Sequence, residues 1–138
     1  MSRFRSLLPV VSKAAPNSHN KAKYTAEQLK AKVAPTVIKE CLDQTQTNGF
    51  TTRAIYEAVP EIKAAYASPN ALGTALGSGV KETGMGLHSK NGAFARCREN
   101  AVLAAGCLSD QQFEALAEEL GHDGPEGLAQ AMNALPPF

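Results

Sequence analysis

The dipeptide Asn91-Gly92 constrains the fold of this chain more than any other feature. A two-residue type I′ turn needs positive φ at both central positions, and Asn-Gly is among the pairs that adopt it most readily. The dipeptide stands inside GLHSKNGAFARC, residues 86–97. Strand alternation around this turn places Leu87 and Phe94 on one face and Lys90 on the other. The stretch therefore predicts a short hairpin with an apolar face and a lysine at its tip.

The segment before the hairpin begins with a predicted helix. Thr25 with Gln28 three residues on has the spacing of a capping box, and apolar residues at helical period follow as far as Leu42. Pro35 interrupts this stripe. It predicts either a kink or two short helices, because proline cannot donate to the carbonyl four residues back. Asn48-Gly49 is the predicted end of the element, in the manner of a left-handed C-cap.

Two further helices are predicted before the hairpin, over residues 51–59 and 69–83. The first begins with a capping threonine, and the second has Ser68 as its cap and proline at its first position. Gly73 and Gly77 lie within the second, where each costs about 1 kcal/mol relative to alanine. Two explanations stay open: close packing of helices within the domain, or close approach by the backbone of a ligand.

Charge is divided unevenly along the 138 residues, although the net charge is only +1. Residues 1–32 contain seven basic groups and one acidic group, a net +6. Residues 33–98 contain seven basic and five acidic groups, a net +2, and residues 99–138 contain seven acidic groups and no Lys or Arg. Such asymmetry suggests a basic segment for a polyanion and an acidic end that faces water or a basic partner.

Residues 1–24 are predicted to form a basic, flexible arm, since they contain only a short apolar cluster at residues 7–11 and two prolines. Arg3, Arg5 and the absence of acidic residues before Glu27 also fit a mitochondrial transit peptide, which stays open as an alternative. With that exception, the expected location is cytoplasmic.

Residues 99–138 are predicted to add two short acidic helices. Ser109 with Gln112 and Asp123 with Glu126 have the spacing of capping boxes, each followed by an apolar stripe. Three roles are open for these stripes: closing the core, pairing across a homodimer through residues 109–135, or docking a protein partner.

Several classes of function are not expected. The sequence contains no P-loop, GxSxG or HExxH motif, and its three histidines are isolated, so we expect no enzyme, no cofactor and no metal site. No run approaches 18 apolar residues, so we expect no membrane partner. The cysteines are odd in number and lack C-x-x-C spacing, which favours buried thiols in a reducing compartment.

The order of helices and hairpin over residues 25–98 resembles the winged helix-turn-helix family. Residues 69–83 then correspond to its recognition helix and residues 86–97 to its wing. The stretch SPNALGTALGSGVKETGMG is most similar to winged helices of phage and plasmid replication proteins and regulators. The resemblance implies a mainly α fold with a small β-hairpin, a winged helix-turn-helix core and two C-terminal acidic helices. It also implies a surface of recognition helix and wing that binds duplex DNA.

Basic and polar residues on the arm, the helices and the hairpin are the candidate DNA contacts, because lysine and arginine reach phosphates and small polar side chains reach phosphates or base edges. These candidates are Arg3, Arg5, Lys21, Lys23, Arg53, Asn70, Thr74, Ser78, Lys81, Lys90, Arg96 and Arg98. The predicted function is that of a non-catalytic DNA-binding protein, a regulator or replication accessory. The alternative is a protein-interaction module that uses the same winged surface, such as a viral inhibitor or assembly component. The weakly charged, glycine-rich third helix favours that alternative.

Overall fold

The computed structural model describes residues 24–75 and 85–138. These stretches are mainly helical with one small antiparallel sheet of two strands, which confirms the predicted fold class in its coarse form. In chain order the elements are α1 (Ala26–Leu42), α2 (Thr52–Ala58), α3 (Pro60–Ala65), α4 (Pro69–Ala75), β1 (Ser89–Lys90), β2 (Ala93–Phe94), α5 (Arg98–Ala105), α6 (Asp110–Glu119) and α7 (Gly124–Asn133). Residues 1–23 of the predicted arm lie outside the described residues, as do the candidates Arg3, Arg5, Lys21, Lys23, Ser78 and Lys81.

Helix α1 begins as predicted and continues through its proline. The Thr25 hydroxyl accepts from the Gln28 amide at 3.1 Å, and the Gln28 side chain accepts from the Thr25 amide at 2.9 Å, which completes the capping box. Pro35 lies inside one 17-residue helix, so the alternative of two short helices is wrong. Val33 and Val37, on either side of the proline, are fully buried. Burial of this shared apolar face offsets the missing hydrogen bond.

The predicted end of this helix is also wrong. Helix α1 stops at Leu42, with Asp43 as its C-cap, and the segment up to Gly49 is a loop. Gly49 does not have the positive φ of a left-handed cap. Its role is close approach, because a Cβ there would overlap the Phe94 carbonyl oxygen and lie 3.0 Å from the Ala93 Cβ. Glycine is needed at this position for tertiary contact with the hairpin rather than for helix termination.

The hairpin has the predicted turn and faces. Asn91 and Gly92 have φ of 58° and 81°, the positive values that a type I′ turn requires. Leu87 and Phe94 are both buried, whereas Lys90 at the turn is exposed. The paired residues are Ser89 with Phe94 and Lys90 with Ala93.

A third segment of chain pairs with the hairpin. Phe50, just before α2, forms an antiparallel bridge to Phe94 in β2. The Phe50 amide donates to the Phe94 carbonyl at 3.0 Å, and the Phe94 amide donates back at 2.7 Å. The two rings also contact each other, with centroids 5.6 Å apart. The bridge joins the loop after α1 to the returning strand of the hairpin.

The caps of α2 and α4 follow the sequence prediction. Thr51 caps α2 through a bond from the Ala54 amide, and the Ser68 hydroxyl accepts from the Ala71 amide at 3.1 Å at the start of α4. Gly73 in α4 is buried, and α4 packs against α2. At Gly73 the structure therefore favours helix packing over approach by a ligand.

The C-terminal helices belong to the same core as α1. Helix α5 packs along α1 through Ala101 and Ala104, which are fully buried. Leu116 of α6 and Leu128 of α7 are part of the same cluster of buried side chains as α1. Three roles were predicted for the apolar faces of the acidic helices, and in the structure these faces help to close the core. A homodimer through residues 109–135 stays a prediction.

The two predicted capping boxes in this region have different outcomes. Ser109 and Gln112 form both bonds of the box at the start of α6. Asp123 precedes α7 but its side chain forms no capping bond, so the box with Glu126 is wrong. The reason is local, since Gly124 begins the helix with φ of 74° and turns the chain away from capping geometry.

The three cysteines are free thiols, as predicted. Cys41 and Cys97 are buried, and Cys107 is half-buried. Burial raises the pKa of the Cys41 thiol to about 12, so it stays protonated at neutral pH.

Gly49→Ala is expected to destabilise the fold by about 1–3 kcal/mol, because the new methyl group has no room beside the Phe94 carbonyl. Urea unfolding followed by circular dichroism measures the change. Gly106→Ala is the matched control, since Gly106 has ordinary helical dihedrals and its Cβ would meet its nearest neighbour at 3.4 Å. An equal loss in both variants would contradict the close approach at Gly49.

Only Cys107 is expected to react with iodoacetamide at pH 8 in the folded protein. Cys41 and Cys97 are buried, so the reagent does not reach their sulfur atoms, whereas Cys107 is half-buried. Burial raises the pKa of all three thiols, so the selectivity comes from access to the sulfur. Mass spectrometry after labelling, with and without urea, counts the modified thiols. Rapid native labelling of Cys41 would contradict its burial.

Candidate functional site

The Asn100 side chain of α5 forms hydrogen bonds to the backbone at the base of the hairpin. This side chain is fully buried, and its Oδ1 accepts from the His88 amide at 2.7 Å. Its Nδ2 donates to the His88 carbonyl at 3.1 Å and to the Ala95 carbonyl at 2.7 Å. One amide therefore satisfies backbone groups on both strands just below the paired residues, and the hairpin cannot tilt without breaking these bonds.

Arg96, which follows β2, bonds to α1 and to the loop after α1. Its Nη1 donates to the Glu40 carbonyl at 2.6 Å and pairs with the Glu40 carboxylate at 2.5 Å, and its Nε donates to the Asn48 carbonyl at 2.7 Å. The guanidinium lies 5.7 Å from the centre of the Phe50 ring, a cation–π contact, and the side chain is only 11% exposed. Because its Nε and Nη1 donors bond to acceptors of the protein itself, Arg96 positions the hairpin strand, and its assignment as a DNA contact stays a prediction.

The C-terminal segment covers the other side of the hairpin base. The Phe138 ring stacks on His88 with centroids 4.7 Å apart, and the Phe138 amide donates to the Glu99 carboxylate at 2.8 Å. This bond is the main reason that the pKa of Glu99 lies below its usual range. The Arg98 amide donates to the Pro136 carbonyl at 2.9 Å. Contacts from α1, α5 and the C-terminal segment thus hold the hairpin from several directions.

A cleft of about 520 Å³ lies between the loop after α1 and the hairpin, and we call it the loop–hairpin cleft. Its lining contains Lys90 and Arg96 but no carboxylate. The lining residues are Gln44, Gln46, Thr47, Asn48, Gly49, Lys90, Asn91, Ala93, Phe94, Ala95 and Arg96.

Most of the described cations outside the cleft are paired with carboxylates. The pairs are Lys32 with Glu61, Lys39 with Glu119, Lys63 with Glu57 and, at 4.0 Å, Arg53 with Glu57. Exposed pairs of this kind contribute little stability, but they neutralise much of the local positive charge. Within residues 24–75 and 85–138, Lys30, Lys90 and Arg98 have no such pair. Lys30 and Arg98 are half-buried, whereas Lys90 is exposed at the hairpin tip.

The structure brings together only some of the predicted contacts. Lys90 and Arg96 meet at the loop–hairpin cleft. Asn70 and Thr74 are exposed on α4, as predicted, and Arg53 is exposed on α2, but none of the three lines the cleft. Arg98 is half-buried at the start of α5. Of the described candidates, the structure thus brings together Lys90 and Arg96, while the others are distributed over α2, α4 and the start of α5.

Sequence reasoning missed the residues that position the hairpin and build the other wall of the cleft. Asn100 and Glu40 bond through long-range contacts that no local motif marks. The loop is different, since DQTQTNG, residues 43–49, is a run of polar side chains between two apolar elements. This polar composition is the local feature from which an exposed loop could have been predicted.

Comparison with protein-family models, curated proteins and solved structures finds no match for this chain. Within the described stretches, His, Cys, Asp and Glu form no group of three that could hold a metal ion. No helix in these stretches combines the length and the apolar character needed to cross a membrane.

Asn100→Ala is expected to destabilise the protein by about 2–4 kcal/mol, because the His88 amide loses its partner and the His88 and Ala95 carbonyls each lose a donor. Urea unfolding gives the overall change, and amide hydrogen exchange at His88 reports loosening of the hairpin itself. Asn133→Ala, at an exposed site, is the control and should change stability by less than about 0.5 kcal/mol. Unchanged exchange at His88 would show that Asn100 does not hold the hairpin.

Proposed function

We propose that this chain is a small, non-catalytic DNA-binding protein with a winged helix-turn-helix core, and that its hairpin is the wing. The observation that carries the proposal is a rigidly held hairpin whose tip presents Lys90, exposed and without a carboxylate partner among the described residues. The basic N-terminal segment and the exposed face of α4 supply the remaining contacts.

The order of elements supports this assignment. Helix α1 is followed by the pairing residue Phe50, then by α2 and α4, and then by the hairpin that pairs back to Phe50. This order of helices and hairpin is the one on which the resemblance to the winged helix-turn-helix family rests. The α4 helix then corresponds to the start of the recognition helix.

Rigidity of the hairpin supports a binding role, because a site ordered in advance loses less conformational entropy on binding. Asn100 and Arg96 hold the returning strand through bonds of 2.5–2.7 Å to Ala95, Glu40 and Asn48. The lysine at the tip is thereby carried on a fixed base while its own side chain stays free to reach a phosphate.

The residues on α4 support limited reading of base sequence. Asn70 and Thr74 are exposed and can bond to phosphates or base edges. Neither is arginine, whose bidentate bond to guanine is the commonest specific contact. We infer that most of the affinity comes from phosphates, with a large share from the net +6 of residues 1–32. The exposed carboxylates of α6 and α7 then face away from the DNA.

A protein-interaction module is the second candidate. The observation that favours it is the outer face of α5, where Val102 and Leu103 are 49% and 38% exposed. Exposed apolar side chains on a neutral helix suit a protein partner better than a phosphate backbone.

Lys90→Ala is expected to weaken duplex binding and to reduce the slope of log affinity against log salt by about 0.9, since one phosphate contact no longer releases counterions. Fluorescence anisotropy with a labelled duplex at several salt concentrations measures both quantities. Lys39→Ala is the matched control, because it removes the same charge from a lysine already paired with Glu119.

Two results would contradict the DNA proposal. One is that the parent chain does not bind duplex DNA at low salt. The other is that Lys90→Ala and Lys39→Ala give the same affinity and the same slope. Either result favours the protein-partner candidate.

A further inference from the structure

The loop–hairpin cleft has walls that are fixed relative to each other. Arg96 bonds from the hairpin strand to the Asn48 carbonyl of the loop, and Phe50 pairs with Phe94 through two backbone hydrogen bonds. Gly49 lies so close to β2 that no side chain fits there. The cleft is therefore a preformed feature rather than a gap between independent loops.

The cleft wall formed by the loop offers neutral hydrogen-bond donors. Gln46 and Thr47 are exposed, and neither side chain has a hydrogen-bond partner within the part of the chain that the structure describes. The neighbouring Asp43 carboxylate instead accepts from the Thr45 amide and hydroxyl and does not line the cleft. Donors are thus available beside Lys90 without a competing negative charge.

The lining favours a phosphate over a nucleobase. Proteins that bind single-stranded nucleic acid hold the bases chiefly by stacking them on exposed aromatic rings. Phe94, the aromatic residue in the lining, is only 1% exposed and faces the core. An ammonium group with neutral amide and hydroxyl donors matches the oxygens of a phosphodiester. The volume of about 520 Å³ lies within the range of small-ligand sites.

We propose that the loop–hairpin cleft binds one phosphate of the DNA backbone, held by Lys90 together with the side-chain donors of Gln46 and Thr47. The inference rests on the proposed DNA-binding function and assigns part of that function to the loop after α1. The loop then contacts the same phosphate that Lys90 at the hairpin tip reaches.

Neutral and charged contacts can be separated by their response to salt. Removing neutral donors weakens binding without changing the number of counterions released, whereas removing a lysine changes both. The double variant Gln46→Ala/Thr47→Ala should weaken duplex binding about tenfold and leave the salt slope unchanged. Gln46→Lys should strengthen binding and steepen the slope by about 0.9.

The experiment uses the full chain and a fluorescein-labelled duplex in anisotropy titrations over a series of salt concentrations. The variants are the alanine double, Gln46→Lys and Lys90→Ala. Gln111→Ala/Gln130→Ala, which removes two exposed amides from α6 and α7, is the control for general surface changes. Thermal melts of each variant by circular dichroism confirm that it is folded.

The outcomes distinguish this inference from the proposed function. The expected result is a loss with unchanged slope in the alanine double and a gain with steeper slope in Gln46→Lys. If both bind like the parent while Lys90→Ala still reduces the slope, the cleft inference is overturned and DNA binding stands. If the parent fails to bind duplex DNA at low salt, both are overturned. The protein could instead bind a polyglutamate peptide and not DNA, with that binding lost in the alanine double variant. This result would assign the cleft to a protein carboxylate and would also overturn the inference.

Discussion

The pairing of Phe50 with Phe94 is the contact on which the candidate site depends. A hairpin with two residues in each strand has too few hydrogen bonds of its own to persist in water. The bridge adds a third segment to the hairpin. The same junction explains why residue 49 is glycine, since only its small size permits the close approach of the two segments. It also places the Phe50 ring in contact with the Arg96 guanidinium. The hairpin is stable because it is attached to the helical core, and the cleft exists because the attachment uses the loop after α1.

Pairing of charges decides where positive charge is available for a polyanion. Of the five lysines and arginines of helices α1, α2 and α3, all but the half-buried Lys30 have a carboxylate within 4.0 Å among the described residues. The Lys39 pair joins α1 to α6, so the acidic C-terminal helices neutralise a surface lysine of α1 and also complete the apolar core. Lys90, at the end of a rigid support, differs from these residues. This contrast links the fold to the proposed DNA-binding function.

Prediction of the candidate site from sequence was partial for a physical reason. Lys90 was found because the Asn-Gly turn places it at a hairpin tip, and the turn is a property of two adjacent residues. Arg96 was assigned to DNA as a basic residue on the returning strand of the predicted wing, and its positioning role was missed because its partners Glu40 and Asn48 are 56 and 48 residues away in the chain. Asn100 was missed for the same reason, since a lone asparagine gives no local indication that it will satisfy a distant backbone.

The sequence by itself determined the caps of α1, α2, α4 and α6, the hairpin turn and the apolar faces, because each depends on residues within about one helical turn or one strand pair. Tertiary structure decided the rest: the continuity of α1 through Pro35, the role of Gly49 and the placement of the acidic helices in the core. These features depend on which distant side chains and backbone groups are buried together. Burial is a property of the packed chain, and no window of local sequence contains it.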